Sequence, residues 1–321
     1  MRAVAGAPGA RLLGLGEHAP ANVVTNHDIA ARVDTNDQWI RDRVGIVSRR
    51  IAGPDESVVD MAAAAGGKAL AASGLAASDI DLVIVATCTL PSQVPGAAAE
   101  VATRLGIQAP GAFDVNAACA GFVYGTATAA NAVVAGSARH VLVVGAEKLS
   151  DWTDWDDRST CIIFADGAGA AVVGPAESAA EAGIGPVVWG SAGESADLIT
   201  VADRHSFLAQ EGQAVFRWAT TALAPVAREA CARAGVAPDE LAAFVPHQAN
   251  LRIIEAIARK LGAANAVVAR DVVESGNTSS ASIPMALCRM VQRGEVASGA
   301  PVLVLGFGAG LTYAGQVLIC P

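Results

Sequence analysis

The sequence predicts a layered α/β protein made of two matched halves, and three observations carry that reading. Short apolar runs rich in Val, Ile and Ala alternate with longer stretches whose apolar residues recur at helical spacing, the pattern of strands packed between helices. The order of those elements repeats along the chain, which predicts pseudo-twofold symmetry. Aromatic residues make up only 4% of a chain that is 53% hydrophobic, so its core must be built from Ala, Val, Leu and Ile packed closely around glycine.

In the first half, a helix over 58–73 leads through GLAASDIDLVIVATCT (74–89), a helix end followed by a strand. In the second, a helix over 215–234 leads through GVAPDELAAFVPHQAN (235–250) in the same way. After each strand come another helix, a short strand and a polar reactive segment, AFDVNAACAGF in one half and VVARDVVESGNTSSASIP in the other. Each half closes on a strand pair: RHVLVVGAE with FADGAGAAVVG, then APVLVLGFGAG with TYAGQVLI. The boundaries that follow are 1–178 and 179–321, two βαβαβ-type halves with the active site expected where they meet.

Several function classes are excluded by composition. No apolar run approaches the ~18 residues that a membrane span needs. The opening MRAVAGAPGARLLGLGEHAP is broken by Gly14 and Gly16 and lacks the apolar region of a secretory signal, so a cytoplasmic location is expected. Six scattered cysteines without a CxxC pair fit neither a zinc site nor a disulfide framework, and no metal is expected. A net charge of −9 argues against nucleic acid as a partner; any acidic partner must meet a local basic patch.

Cys119 sits between the strand-like AFDV and a segment in which Phe122, Val123, Ala127, Ala130, Val133 and Val134 recur at helical spacing. That places the thiol at a helix N-terminus, where exposed N–H groups and the helix dipole favour a thiolate and make it a candidate nucleophile. The alternative for any cysteine in so apolar a chain is a small buried hydrophobe. Cys88, Cys161, Cys231, Cys288 and Cys320 fall in apolar patterns without polar company and are expected to be that.

His247 follows the strand AAFV and a proline and precedes a helix, a position where catalytic side chains are displayed, although a histidine taken alone is more often structural or solvent-exposed. Asn277 lies in SGNTSS, which the pattern places after a short strand and before an apolar helix; its alternative is a turn or capping asparagine. The three residues occupy matching strand ends of the duplicated plan, which joins them into one candidate site. The clusters at 166–169 and 306–310 open no helix and carry no Gly-Lys-Ser/Thr, so they are read as tight strand turns whose N–H groups can face an oxyanion. In ANLRIIEAIARKLG, Leu251, Ile254, Ala258 and Leu261 share one helical face while Arg252, Arg259 and Lys260 lie elsewhere, a basic patch or simply a solvated face.

Taken in order, NDQWIRDRVGI, AFDVNAACAGF, IIFADGAGAAVV, VPHQANLRII, ESGNTSSASIP and GFGAGLTYAG resemble β-ketoacyl-acyl-carrier-protein synthase III, the initiating condensing enzyme of the thiolase-like superfamily. The resemblance spans nearly the whole chain and implies an α-β-α-β-α layered homodimer that joins an acyl-CoA primer to malonyl-acyl-carrier protein by decarboxylative Claisen condensation, with acyl-CoA as substrate and no cofactor. It implies that Cys119 is the nucleophile, that the N–H groups of Cys119 and Ala309 form the oxyanion hole, and that His247 and Asn277 stabilise the enolate formed as CO2 leaves. By the same resemblance Trp39 and Arg158 sandwich the adenine of coenzyme A, Arg43 contacts the nucleotide or its phosphates, Asn250 contacts pantetheine, and Phe307 packs beside the thiol. Arg217, Arg252, Arg259 and Lys260 match the surface on which the acidic carrier docks. Val94 stands where acetyl-restricted relatives often carry a phenylalanine that closes the partner subunit's acyl pocket, so a roomier pocket for branched or longer primers is expected. Ala309 replaces a frequent glycine, so its backbone must suit a Cβ. Polyketide starter-unit ketosynthase and primer-loading acyltransferase are the alternatives in function.

Overall fold

The computed structural model describes residues 6–203 and 205–321. Residues 1–5, which begin both the first half and the opening segment, lie outside the described residues, as does Arg204.

The opening segment contains a strand. β1 (Ala10–His18) is followed by the hairpin of β2 (Asn22–Thr25) and β3 (Ser48–Ile51), which brackets α1 (Asn26–Ala30) and α2 (Asp37–Val44). The expected first helix is α3 (Val58–Ser73), started by a Ser57–Asp60 capping box and stopped at Gly74, whose φ of 72° suits glycine. Then come β4 (Leu82–Ala86), α4 (Ala98–Arg104), β5 (Gly111–Val115), α5 (Gly121–Val134), β6 (Val141–Lys148) and β7 (Asp166–Pro175). These strands form one five-stranded sheet in the order β1-β7-β6-β4-β5, with β4, β5 and β6 parallel and β7 and β1 antiparallel at one side.

The second sheet repeats this plan. After β8 (Val188–Ser191) and a small pair, β9 (Ile199–Thr200) with β10 (Ala209–Gln210), come α6 (Gly212–Ala234), β11 (Ala243–Pro246), α7 (Leu251–Leu261) and β12 (Val267–Val268). The chain ends with α8 (Val272–Ser275), α9 (Ser282–Gln292), β13 (Pro301–Gly308) and β14 (Thr312–Ile319). The order β8-β14-β13-β11-β12 matches the first sheet strand for strand, including which pairs run parallel.

Alternation along the strands explains the layers. In β6, Val141 and Val143 face a core that also holds Phe122 of α5, Ile283 and Leu287 of α9, and Val302 and Val304 of β13. Leu142, Val144 and Ala146 face the other way, onto Met61, Ala65 and Val101 of α3 and α4. Leu303, Leu305 and Phe307 of β13 point outward onto Leu223 and Ala227 of α6 and Ile257 of α7. So α5 and α9 lie between two sheets whose outer faces are covered by α3 and α4 on one side and α6 and α7 on the other, the α-β-α-β-α arrangement. Among the described residues no helix is long and apolar enough to cross a membrane.

Three details of the sequence reading change. Gly167 and Gly169 are not in a turn but inside β7, and Gly306 and Gly308 are inside β13; only Ala309 and Gly310 belong to the turn into β14. These glycines serve close packing, since a Cβ on Gly169 would sit 2.6 Å from the Met285 nitrogen of α9. The buried face of α7 is Ile253, Ile254, Ile257 and Leu261, so Ile254 and Leu261 of the expected set are buried while Leu251 and Ala258 are only partly covered. Helix α6 begins three residues before Val215, at Gly212.

Gly169→Ala tests the packing. The added methyl would meet backbone and Pro284 rather than a side chain that can swing away, so a loss of ~1–3 kcal/mol in urea-unfolding stability is expected.

Candidate active site

Each half presents a segment that turns sharply into the N-terminus of its central helix. In the first, Asn116-Ala117-Ala118-Cys119 runs through a single 3-10 turn, Ala118–Ala120, into α5. In the second, Asn277-Thr278-Ser279-Ser280 runs through Ser279–Ala281 into α9. Both turns are made by a non-glycine residue at positive φ, Ala118 at 44° and Ser279 at 48°, a conformation that costs an L-residue free energy. Both are braced alike: the Asn116 side-chain oxygen accepts the Ala118 N–H at 3.2 Å, and that of Asn277 accepts the Ser279 N–H at 2.9 Å.

One cavity of about 930 Å3 brings the expected residues together. Cys119, His247 and Asn277 line it with Phe307 and Ala309, and towards its mouth lie Trp39, Arg43, Arg158, Arg217, Asn250 and Arg252. Arg259 and Lys260 lie outside it, exposed on the last turn of α7, where the Lys260 ammonium is held by the Thr220 carbonyl. Val94 is also outside, 83% exposed on the loop after β4.

Asn277 departs from the sequence reading in one respect. The residues before it are the helical turn α8, not a strand, and its place is fixed by pairing with the first half: its N–H donates to the Ile163 carbonyl and its own carbonyl accepts from Ala165, both at 2.9 Å. With Oδ1 held by Ser279, the Asn277 amide nitrogen is left as the donor facing the cavity.

His247 follows β11 and is 2% exposed. Ser282 Oγ lies 2.8 Å from its Nδ1 and accepts the Gln248 N–H at 3.2 Å. With the Ser282 hydroxyl donating to Nδ1, the ring proton sits on Nε2 and faces away from Ser282. Burial pushes the imidazole down to about 3, so it is neutral at physiological pH. The Phe307 ring packs edge-on against it at 5.2 Å. His247 and Asn277 are thus two neutral N–H donors beside one thiol.

The expectation of a lowered Cys119 pKa is overturned. Burial pushes the thiol up to about 12, with the nearby Glu147 carboxylate adding to the rise, while the Ser279 hydroxyl and the residue's own N–H oppose it. The helix N-terminus is present, but the thiol is buried away from water and Glu147 is a like charge.

Cys88 also breaks with expectation. Far from lacking polar company, it lines the cavity, its N–H donates to Glu147 at 3.1 Å, and its sulfur lies 3.4 Å from the same carboxylate. Glu147 itself, fully buried at the end of β6, was missed by sequence reasoning because VLVVGAE reads as an ordinary strand end. The signal was there: a carboxylate inside an otherwise apolar run demands buried partners. Cys161, Cys231, Cys288 and Cys320 are buried; Cys161 lies in an irregular segment and Cys320 just past β14, rather than within regular elements.

At the mouth, the Arg158 guanidinium lies over the Trp39 ring at 4.8 Å, so a base inserted between them requires the pair to open. Arg252 stacks on Phe216 at 5.4 Å. The Asn250 side-chain oxygen caps α7 by accepting the Arg252 N–H at 2.9 Å, while its amide nitrogen donates to the Arg43 carbonyl at 3.5 Å. The Cβ of Ala309 brings no strain, because the positive φ of the turn, 122°, falls on Gly310.

Comparison with known proteins places this geometry in context. Two family profiles match the chain, 3-oxoacyl-[acyl-carrier-protein (ACP)] synthase III over residues 113–193 and the C-terminal region of the same family over residues 231–320. A relative from Streptomyces avermitilis, β-ketoacyl-[acyl-carrier-protein] synthase III 2, is 57% identical over 313 residues, 98% of this chain and 99% of its own length. Among solved structures, the priming β-ketosynthase of a polyketide biosynthetic pathway is 44% identical, with a TM-score of 0.96 over 100% of this chain and 98% of its own. The 3-oxoacyl-[acyl-carrier-protein] synthase III of Aquifex aeolicus is 39% identical, with a TM-score of 0.93 over 97% of this chain and 100% of its own.

Alkylation by iodoacetamide, followed on the Cys119 peptide by mass spectrometry, reads the thiol directly. Its rate is expected to keep rising with pH through about 9 to 10, since only the thiolate reacts and burial holds the thiol protonated below that range. A plateau at about pH 7 to 8 would show that the helix N-terminus outweighs burial.

Proposed function

The chain belongs to the β-ketoacyl-[acyl-carrier-protein] synthase III family of thiolase-like condensing enzymes, and from that premise we propose how its residues divide the work. It is an acyltransferase of that type, and its reaction is the family's condensation, which initiates fatty acid synthesis from acyl-CoA and malonyl-acyl-carrier protein.

Cys119 attacks the primer thioester, and the N–H groups of Cys119 and Ala309 receive the oxyanion of that step. Coenzyme A leaves and malonyl-carrier protein takes its place. His247 Nε2–H and the Asn277 amide then hold the malonyl thioester carbonyl while CO2 departs, so that the electron pair is stabilised as an enolate between two neutral donors. The carbanion attacks the acyl-cysteine carbonyl, and Cys119 leaves as the 3-ketoacyl product forms. The observation that carries this reading is the pair of donors: simple acyl transfer does not need an amide donor beside a neutral imidazole.

Trp39, Arg43 and Arg158 at the mouth are suited to the adenine and phosphates of coenzyme A, and Asn250 and Phe307 line the way down to Cys119. Arg217 and Arg252 beside the mouth, with Arg259 and Lys260 further along α7, give an otherwise acidic molecule a basic surface for an acidic carrier protein. β5 is an unpaired sheet edge carrying Phe113, 44% exposed, and Val94 stands out nearby. That edge supports the homodimer, in which Val94 would reach the partner subunit's acyl pocket. Likeness to a priming ketosynthase favours a second reading, in which the same condensation starts a polyketide.

Intact-protein mass spectrometry tests the division of labour. Cys119→Ser is expected to abolish the acyl adduct, whereas Asn277→Ala is expected to acylate normally and lose condensation by ~10²–10³-fold, the scale for removing one oxyanion donor. Equal loss of both steps in Asn277→Ala would count against its role. In a panel of acetyl-, isobutyryl- and longer acyl-CoA primers, the small Val94 predicts turnover of branched or longer chains; turnover of acetyl-CoA alone would refute the roomier pocket.

A further inference from the structure

Attack on the primer thioester needs two N–H groups at a set separation, and they come from opposite halves of the chain. The Cys119 N–H lies in the 3-10 turn Ala118–Ala120 that leads into α5, whereas the Ala309 N–H lies where β13 turns into β14. The two stretches touch, since a Cβ on Gly308 would fall 2.8 Å from the Cys119 nitrogen. That contact does not by itself fix the turn beyond it. Gly310, next after Ala309, has a φ of 122°, and glycine restrains its neighbours less than any other residue.

Thr312 supplies a restraint. Its hydroxyl lies 3.1 Å from the Ala309 carbonyl oxygen and 3.2 Å from that of Ala117, 195 residues earlier in the chain. The hydroxyl has one proton to share between these two acceptors, so both carbonyls are tied to a single oxygen. The Ala117 carbonyl also accepts the Ala120 N–H at 3.0 Å, which closes the turn that holds Cys119. The Thr312 methyl packs on Gly310, where an added Cβ would lie 2.9 Å from it. Thr312 is itself held in register, opposite Gly308 of β13 on one side and Ser191 of β8 on the other.

We propose that Thr312 is a positioning residue for primer transfer, its hydroxyl tying the Ala117 and Ala309 carbonyls together and so fixing the separation of the Cys119 and Ala309 N–H groups. Thr312 does not line the cavity, and it acts through the two backbone segments it bonds. In the step it serves, the Cys119 sulfur forms a bond to the primer carbonyl carbon and the carbonyl oxygen gains negative charge. The C–S bond to coenzyme A then breaks, and the thiol proton of Cys119 ends on the departing sulfur. Donors stabilise that charge best when their spacing is set before it appears. Decarboxylation draws on a different pair, His247 held by Ser282 and Asn277 held by Ile163 and Ala165, and the Thr312 hydroxyl bonds none of these. Loss of the hydroxyl therefore separates the two steps.

This role rests on Cys119 being the acyl acceptor, and the test distinguishes the two failures. Rapid-quench mass spectrometry would follow acetyl transfer from acetyl-CoA to the unsubstituted enzyme, Thr312→Val and Thr312→Ser. Each acetylated enzyme, freed of coenzyme A, would then be given malonyl-acyl-carrier protein and its release of labelled CO2 timed. No adduct on Cys119 in the unsubstituted enzyme would defeat the functional reading and this role with it. Given an adduct, Thr312→Val, which exchanges only the hydroxyl for a methyl, is expected to slow acetylation ~10–10²-fold, the scale of a group misplaced by about 1 Å, with KM for acetyl-CoA unchanged. Thr312→Ser, which keeps the hydroxyl, should acetylate within about threefold of the unsubstituted enzyme. CO2 release should stay within about threefold in both variants, whereas a purely structural role would lower both steps together. Thr312→Ala makes the same comparison if valine prevents folding. Acetylation at the unsubstituted rate in Thr312→Val, an equal loss in Thr312→Ser, or CO2 release that falls in step with acetylation would overturn the proposal.

Discussion

The architecture depends on how closely each half's central helix approaches the other half's middle strand. The turn before α9 lies against β6 at Gly145, where an added Cβ would be 2.4 Å from the Ser280 carbonyl oxygen. The turn before α5 lies against β13, where a Cβ on Gly306 would be 2.8 Å from the Ala120 Cα and one on Gly308 equally close to Cys119. Only glycine permits that approach, and the approach brings residues of both halves to one cavity. Larger side chains at these strand positions would push the layers apart and disturb the spacing of a thiol, an imidazole and an amide that come from three parts of the chain.

That packing makes the site dry, and dryness sets its electrostatics. Burial disfavours charge on both Cys119 and His247, so the donors offered to a developing negative charge are neutral. Each is oriented by a hydroxyl or amide behind it, Ser282 behind His247 and the Ser279 N–H behind Asn277. Orientation fixed in advance is what allows neutral donors to serve, because nothing need reorganise when the enolate forms. The positive φ at Ala118 and Ser279 belongs to the same scheme: backbone free energy is spent to aim two segments into one space.

Much of this was legible in the sequence because its elements are long and strongly periodic. The bounds of α3 are those its apolar spacing and capping residues dictate, and the duplicated order gave both sheets. The reactive segments could be picked out because polar residues interrupt apolar runs where strands meet helices. What could not be read are features set by distant partners. Glu147 looks like the end of a strand until Ser279 and Ser280, far along the chain, come to lie against it. Cys88 looks apolar until the same carboxylate meets it. The glycines at 167 and 169 look like a turn because the reason for them is a helix of the other half. Even the thiol's environment was misjudged from local position, since helix placement is visible in sequence and desolvation is not.

The duplicated plan also bears on how such a chain can change over generations. Cys119 in one half corresponds to Ser280 in the other, and Glu147 at the end of β6 corresponds to Gly308 at the end of β13. The thiol lies against the glycine and the serine against the carboxylate, so each copy carries a residue whose complement resides in its twin. A recombination event that homogenised the two copies would set a side chain into the space the thiol needs, or leave the carboxylate without its hydroxyl. Inheritance therefore has to preserve the shared backbone while keeping the two coding segments unlike one another.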